Sequence, residues 1–458
     1  MQNHSNSETY VNGLQPFVTR DWLIQILEET FKLHARPLSF VTQKLEDSRA
    51  RMAIVTKLSV DWPLAVAKAR LPSKLILKLP TIQKVESVNG LELSENIMAA
   101  VSRQIHNNEC DAYNFLTHKG TIRIPSPRLF GYAKLSDTSL RNGFILLEDW
   151  TENGGKASLF KGLKPGQIEA AVDAIARLQA FGFENPEYKS LFGTADDSIL
   201  NVLPDLFNSC HQLLKDRFNE FVTFSKADLD LVQSRHSHIA NLLSCPVKDE
   251  WTALVHGNLS ANTIVFKRDP SDALSEDVQG IIDWEATHRG SPATDLVRLM
   301  AAAVDADFRR RNEDLLIERY YYGLCYVLES RRESTLIPTW STLAGQLAAI
   351  GGQAQWLVSR AGLAGGPQNS WPKTTTNVEI RQEMNSLIET GIEIPFRLSD
   401  AKAMYYRSFI LGSIYLMMLY AEMMSSGDLA SESPSVQRDV AYRLKCAIED
   451  GLKRFAKL

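Results

Sequence analysis

Residues 254 to 266 read LVHGNLSANTIVF. Leu254 and Val255 lead into His256, Gly257 and Asn258; a polar run follows, and the stretch closes as a strand rich in β-branched residues. Asp283 stands 25 residues after Asn258, in IIDWEATHRGSPATDLVRL, and there the plan repeats: an apolar strand ends in a polar turn. Beyond it, Pro292 and Asp295 precede LVRLM as a helix start, with Asp295 placed to bond back to loop amides. Taken alone, Asp283 reads as a turn aspartate. Joined to His256-Gly257 and SPATDL at this spacing, it reads as one of two polar loops at the mouth of a cleft.

Working outward, the chain changes character on either side of residue 150. Before it, RDWLIQILEETFKLH is spaced as a helix, and PLSFVTQKLED, ARMAIVTKLSVDW and KLILKLP follow as strands. A long helix comes next, SENIMAAVSRQIHNNECDAYNFLTHKG, with Ser94 as N-cap and Gly120 as its stop. PRLFGYAKL and GFILLEDW add two more strands. After it, helical periods dominate from Pro165, where Ile168, Ala171, Val172, Ile175 and Leu178 share a face. They return over residues 295–332, 341–360, 400–424 and 435–455, broken near residue 370 by GLAGGPQNSWPKTTTN. The expected layout is a polar tail over 1–17, an α+β lobe over 18–149 and a mostly helical lobe over 150–458.

Length and charge narrow the classes of function. At 458 residues the chain exceeds one compact core and suits two lobes. The balance of 50 basic and 54 acidic residues gives a net charge of −4, so no electrostatic footprint for nucleic acid is expected. Five scattered cysteines, odd in number and without a Cys-x-x-Cys pair, suit a reducing compartment and no zinc site. The start MQNHSNSETYVNG lacks the basic and apolar regions of a signal peptide. SFILGSIYLMMLYA is shorter than the roughly 20 residues of a membrane span and is read as a buried helix. A cytoplasmic location is expected, although Ala456, Lys457 and Leu458 resemble the Ser-Lys-Leu peroxisomal address. RHSH at 235–238 offers two histidines without a third ligand and reads as a solvated helix.

One residue breaks its own pattern. Along the long helix the apolar stripe runs Val101, Ile105, Glu109, Ala112 and Leu116, which puts a carboxylate where the spacing asks for an apolar side chain. Burying it unpaired is costly, so a cation is expected to meet it, and Lys78 on the preceding strand is the candidate. A strand lysine paired with a helix glutamate is how protein-kinase-like folds hold the α and β phosphates of ATP. Taken without the loops, the two residues read equally as a solvated lysine and a stripe-edge glutamate.

VHGNL, IIDWEATHRGSPATDL, LILKLP and HNNECDAYNFL together resemble the aminoglycoside phosphotransferase and choline kinase superfamily, most closely its CHK-kinase-like branch, which includes ecdysteroid kinase-like proteins. The resemblance covers residues 18 to 455 and implies a two-lobed protein-kinase-like fold. It implies that Lys78 binds ATP phosphates, Glu109 orients that lysine, Asp283 binds Mg²⁺, and FILLEDW forms the hinge against adenine, with Glu148 near its backbone contact. His256 and the residue at 258 belong to the catalytic loop.

Three departures bear on activity. The family loop reads His-Gly-Asp, and here Asn258 stands where the base would be; an amide holds a hydroxyl but takes no proton. The Mg²⁺-binding asparagine falls at Thr263 in an ungapped match, and only a one-residue deletion after Leu259 brings Asn262 into the role. The phosphate-covering loop, EDSRARM, has no glycine and begins with two acids. The expectation is a weak ATP-dependent phosphotransferase acting on a hydroxyl of a small alcohol, amino alcohol or sterol-like acceptor. The alternative is a degenerate pseudokinase that binds nucleotide or metabolite without turnover.

Overall fold

The computed structural model describes residues 18–32, 36–45, 52–64, 71–82, 94–118, 124–137, 140–194, 197–218, 225–244, 248–336 and 396–458. The polar tail, most of EDSRARM, Gly120, the expected 341–360 helix and the glycine-rich stretch near 370 lie outside the described residues.

Helix α1 (Arg20–Phe31) opens the chain, its first turn capped by Thr19, whose hydroxyl accepts from Trp22 N–H at 3.1 Å. Strands β1 (Ser39–Lys44), β2 (Ala53–Asp61) and β3 (Lys74–Pro80), helix α2 (Glu95–His118), and strands β4 (Leu129–Ala133) and β5 (Phe144–Glu148) follow. The five strands form one antiparallel sheet in the order β1-β2-β3-β5-β4. Alternation sorts its faces. Leu75, Leu77 and Leu79 join Leu58, Val60, Leu23 and Leu27 in a core under α1. Ile76, Lys78 and Pro80 therefore point the other way, into a cleft that Ala53 and Val55 of β2 also line.

The remaining elements are β6 (Gly154–Lys156), α3 (Pro165–Glu184), α4 (Tyr188–Leu191), α5 (Asp197–Phe218), α6 (Lys226–Ser234), α7 (His236–Ser244), β7 (Ala253–Val255), β8 (Ile264–Arg268), β9 (Leu274–Ile281), β10 (His288–Gly290), α8 (Ala293–Ala302), α9 (Ala306–Leu336), α10 (Leu398–Ser425) and α11 (Pro434–Phe455). The expected strand pair appears as β8 and β9, but β6 adds a third strand and β7 pairs with β10. These additions are three residues long, too short for a period-two signal. The expected helix over 295–332 is two helices, separated after α8 by Ala303 to Asp305.

Helix α10, at 28 residues, is long and apolar enough by length and composition to cross a membrane, yet 67% of its most apolar stretch is buried inside the protein. It packs on α8 and α11, and Phe409, Leu416, Met417 and Tyr420 are all fully buried. A helix that is apolar on most sides is what the centre of a helical lobe requires.

Candidate functional site

The two loops read first in the sequence lie against each other because of one glycine and one aspartate. Gly257 has φ +78°, and a Cβ there would come within 2.2 Å of Ala286 O, so only glycine lets the 256–258 backbone approach the turn after Asp283. Asp295, at the start of α8 and fully buried, accepts from His256 N–H at 2.8 Å and Gly257 N–H at 2.9 Å. It bonds back to the loop amides as its sequence position suggested. Burial raises its carboxyl to about 6, against the pull of those two N–H groups.

His256 is fully buried beneath the loop and is not among the residues lining the cleft. Its Nε2 lies 3.0 Å from Ile282 O, its Nδ1 accepts from Asn258 N–H at 3.2 Å, and its ring meets Trp284 edge-on at 4.6 Å. These contacts define one neutral tautomer, with Nε2 donating. Burial lowers the ring pKa to about 4. The histidine expected in the catalytic loop is thus a brace between the two loops and does not reach the cleft.

Above this floor opens a cleft of about 850 Å³. At one end Lys78 Nζ donates to Glu109 Oε1 at 2.7 Å, to Asp283 Oδ1 at 3.1 Å and to Glu285 Oε2 at 3.4 Å. The cation that the helical stripe called for is there, with Lys78 7% and Glu109 2% exposed. Burial opposes the charge on Lys78, but Asp283, Glu109 and Glu285 reverse that and hold its pKa well above the ordinary lysine value. Burial raises the Glu109 carboxyl against the pull of Lys78. Burial, with Asp283 and Glu109 adding to it, pushes Glu285 up to about 8. Asp283 sits in the left-handed region, φ 62° and ψ 62°, a conformation that aspartate tolerates better than most residues. The following N–H, of Trp284, then bonds to Glu109.

Two residues at this end went unread in the sequence. Glu285 looked like part of a turn because nothing in WEA marks it as inward. Asn108 looked like a polar position beside the stripe, yet its Nδ2 donates to Glu285 O and to Thr287 O, both at 2.8 Å, fastening α2 to the turn after Asp283.

At the other end Asn258 bridges two charges. Its Oδ1 accepts from Arg298 Nη2 at 2.9 Å and its Nδ2 donates to Glu285 Oε1 at 3.2 Å. Arg298, third of the unread residues, lies over the Tyr415 ring at 4.0 Å and also hydrogen-bonds with Tyr415. In LVRLM it had looked like the solvated charge of an amphipathic helix. A chain of contacts therefore runs along the floor from Arg298 through Asn258 and Glu285 to Lys78.

Both residues offered for the amide ligand line the cleft, and their hydrogen bonds differ. Thr263 Oγ1 accepts from Ser260 N–H at 2.9 Å and contacts Asn258 O at 3.0 Å and Ser260 O at 3.2 Å, so its hydroxyl is committed to the loop backbone. Asn262 lines the cleft and accepts from Ser260 Oγ. Glu148 also lines the cleft, at the end of β5, but its N–H donates to Arg128 O at 3.0 Å and its carboxylate accepts from Arg128 N–H at 3.3 Å. Its own N–H is occupied, and Trp150 and Thr151 continue that wall. EDSRARM contributes only Met52 to the described lining.

Hard oxygen donors gather where a divalent cation would sit. Glu109, Asp283 and Glu285 each offer an oxygen within 4.8 Å of the others, and a divalent cation there would favour the ionised forms that burial opposes in Glu109 and Glu285. That donor set suits Mg²⁺ better than a softer metal.

A family model described as "Uncharacterized oxidoreductase dhs-27" matches residues 41–336, more than half of the chain. The word oxidoreductase in that description has no counterpart among the described residues. Every strand pair in their sheets is antiparallel, so the crevice of a parallel doubly wound sheet, where dinucleotides bind, is not formed by them. No curated protein matches the chain. Among solved structures it is similar to a spectinomycin phosphotransferase in complex with ADP and spectinomycin, at 12% identity over 85% of this chain and 99% of that one, TM-score 0.33. A macrolide 2'-phosphotransferase from Brachybacterium faecium is similar at 13% identity over 82% and 100%, TM-score 0.34. An aminoglycoside 2'-phosphotransferase in its GDP complex is similar at 14% identity over 83% and 96%, TM-score 0.36. The kinase-like architecture rests on the five-stranded sheet, the Lys78–Glu109 pair and the two facing loops rather than on these likenesses. The chain belongs to the family that model describes, and its described residues build a two-lobed, protein-kinase-like fold.

Proposed function

We propose that the chain is an ATP-dependent phosphotransferase acting on a small-molecule acceptor. The observation that carries this is the placement of Lys78 within 3.1 Å of Asp283 and 2.7 Å of Glu109 at the mouth of a cleft of about 850 Å³. Phosphoryl transfer asks a protein mainly to position the reactants and neutralise charge, and this end of the cleft has the parts for both. Lys78 takes the α and β phosphates, Glu109 holds its ammonium in place, and the wall from Leu147 to Thr151 receives the base. Asp283, Glu285 and Asn262 are the groups that would hold Mg²⁺, which supplies charge neutralisation of the phosphate oxygens. Arg298 and Asn258 lie where the acceptor would meet the γ-phosphoryl group.

A second reading has its own observation. Asn258 is an amide at the position of the base, and its Nδ2 and Oδ1 are already bonded to Glu285 and Arg298. General base catalysis is worth about 10² to 10⁴ in rate, so a hydroxyl acceptor would react slowly here, and the chain would then act by binding nucleotide. One pair of measurements separates the readings. Thermal shift with ATP, with and without Mg²⁺, tests the nucleotide site; ADP release in the presence of acceptor pools tests turnover. A Mg²⁺-dependent shift with ADP release supports transfer, and a shift without release supports binding alone. No shift at millimolar MgATP removes both.

A further inference from the structure

Among the described residues no carboxylate lies within 4.0 Å of the Arg298 guanidinium. The groups in contact with it are neutral, the amide oxygen of Asn258 at 2.9 Å and the ring and hydroxyl of Tyr415, while the carboxylates of Asp295 and Glu285 act on it from farther off. Elsewhere in the helical lobe several arginines have carboxylate partners, whereas Arg443, away from the cleft lining, donates to the carbonyls of Leu159, Phe160 and Ala302 and to Tyr420 Oη. Arg309 and Arg310 meet Asp450, and Arg319 meets Glu169 and Asp173. A half-buried cation that lines a cleft with no carboxylate in contact is a place for an anion from outside.

Resting on the phosphotransferase reading above, we propose that the acceptor attacks through a carboxylate held by Arg298, so that the product is an acyl phosphate. A carboxylic acid is ionised at neutral pH, its ordinary pKa lying near about 4, and has no proton to lose before it attacks. The base that a hydroxyl would need is then unnecessary, and an amide at 258 is no defect. An aspartate there would sit against Arg298, neutralise it and repel the incoming carboxylate. Asn258 leaves the guanidinium available, with donors beyond the one it gives to Oδ1, and a planar fork of that kind matches a carboxylate.

The step balances without further reactants. A carboxylate oxygen forms a bond to Pγ of ATP as the bond from Pγ to the β,γ-bridging oxygen breaks, and the electron pair leaves on ADP. Four negative charges on ATP and one on the acid become three on ADP and two on the acyl phosphate, with no proton released. The walls beyond Arg298 describe the rest of the acceptor. Ala302, Leu416, Met418 and Leu419 form an apolar surface with Glu422 beside it, which suits an acid with an apolar body over a polycation.

Hydroxylamine converts acyl phosphates to hydroxamates and leaves phosphate esters alone, so it reads the class of product directly. The full-length protein is incubated with MgATP, neutral hydroxylamine and octanoate, benzoate or cholate, with octanol and benzyl alcohol as matched hydroxyl acceptors. We expect one hydroxamate per ADP with at least one of the acids. Arg298→Gln should raise KM for that acid by roughly 10-fold more than KM for MgATP, and Arg298→Lys, which keeps a cation without the fork, by less. ADP release with the alcohols and not with the acids overturns the proposal, and so does an acid KM that ignores both substitutions. A MgATP thermal shift without hydroxamate from any of the three acids also overturns it while leaving the nucleotide reading standing. No MgATP shift at all removes that reading, and this one with it.

Discussion

At one end of the cleft Lys78 stands among three carboxylates; at the other Arg298 has none within salt-bridge reach among the described residues, and the Asn258 amide and Glu285 link the two. Both cations come from regular elements, β3 and α8, and both line the same cavity. What differs is the sign of the uncompensated charge. The Lys78 end gathers three carboxyl groups around one ammonium, a setting for a cation; the Arg298 end holds a guanidinium with no carboxylate in contact, a setting for an anion. An aspartate at 258 would erase the contrast by bringing a carboxylate to the arginine.

The largest effect should come from breaking the Lys78 end. Lys78→Met leaves Glu109, 2% exposed, and Glu285 without their cation, and removal of one partner from such a buried pair costs about 3 to 5 kcal/mol. Urea unfolding should show that loss, and Lys78→Met/Glu109→Leu should recover part of it, since an apolar residue at 109 continues the stripe of α2. A single variant as stable as the parent would mean that Glu109 does not depend on Lys78.

Asn258→Asp tests the Arg298 end. An aspartate there pairs with Arg298 and repels an acid acceptor while offering a hydroxyl a place for its proton, so the ratio of kcat/KM for octanol over octanoate should rise by about 10². An unmoved ratio would mean that position 258 does not meet the acceptor. Asp283→Ala then separates metal from nucleotide. MgATP at about 100 times its Kd should stabilise the parent by about 2 to 3 kcal/mol, and the variant should lose the part of that which needs Mg²⁺. A Mg²⁺ dependence that survives the substitution would move the ion elsewhere.

The smallest effect concerns acid. Burial holds His256 and His288, beneath the loops, and His106, in α2 behind Glu109, each at about 4. The unfolded chain takes up those protons near pH 6.5 and the folded chain does not, so their effect is to lower stability as pH falls from about 6.5 toward 4. Each should contribute about 1 kcal/mol of loss between pH 7 and 5.5, and the raised carboxyls of Asp295 and Glu285 pull the other way. His288→Phe should therefore change the slope of stability against pH by about 1 kcal/mol over that interval relative to the parent. Two parallel curves would show that its ring already titrates in the folded state.

The contrast also shows what a sequence can carry. Glu109 was legible because it violates a period set by its own helix, and Asp283 and Asp295 because each ends or begins an element. Arg298, Glu285 and Asn108 violate nothing locally. Their meaning lies in contacts to residues 40, 207 and 177 positions away: Arg298 to Asn258, Glu285 to Lys78, and Asn108 to Glu285. The sheet and long helices follow from period and composition, and the three-residue strands β6 and β10 do not, because pairing rather than propensity makes them. His256 drew attention through its motif, and only burial shows that it braces the loop from below.

Asn108 carries one more consequence. In a kinase whose long helix swings, activity is governed by whether the glutamate arrives beside its lysine. Here the neighbour of that glutamate is stapled to two carbonyls of the turn after Asp283, so moving α2 outward tears both bonds and strands Glu109 at the same moment. The hinge a regulator would pull is clasped shut from within. The turn that presents Asp283 is thus also the latch that keeps Glu109 turned inward.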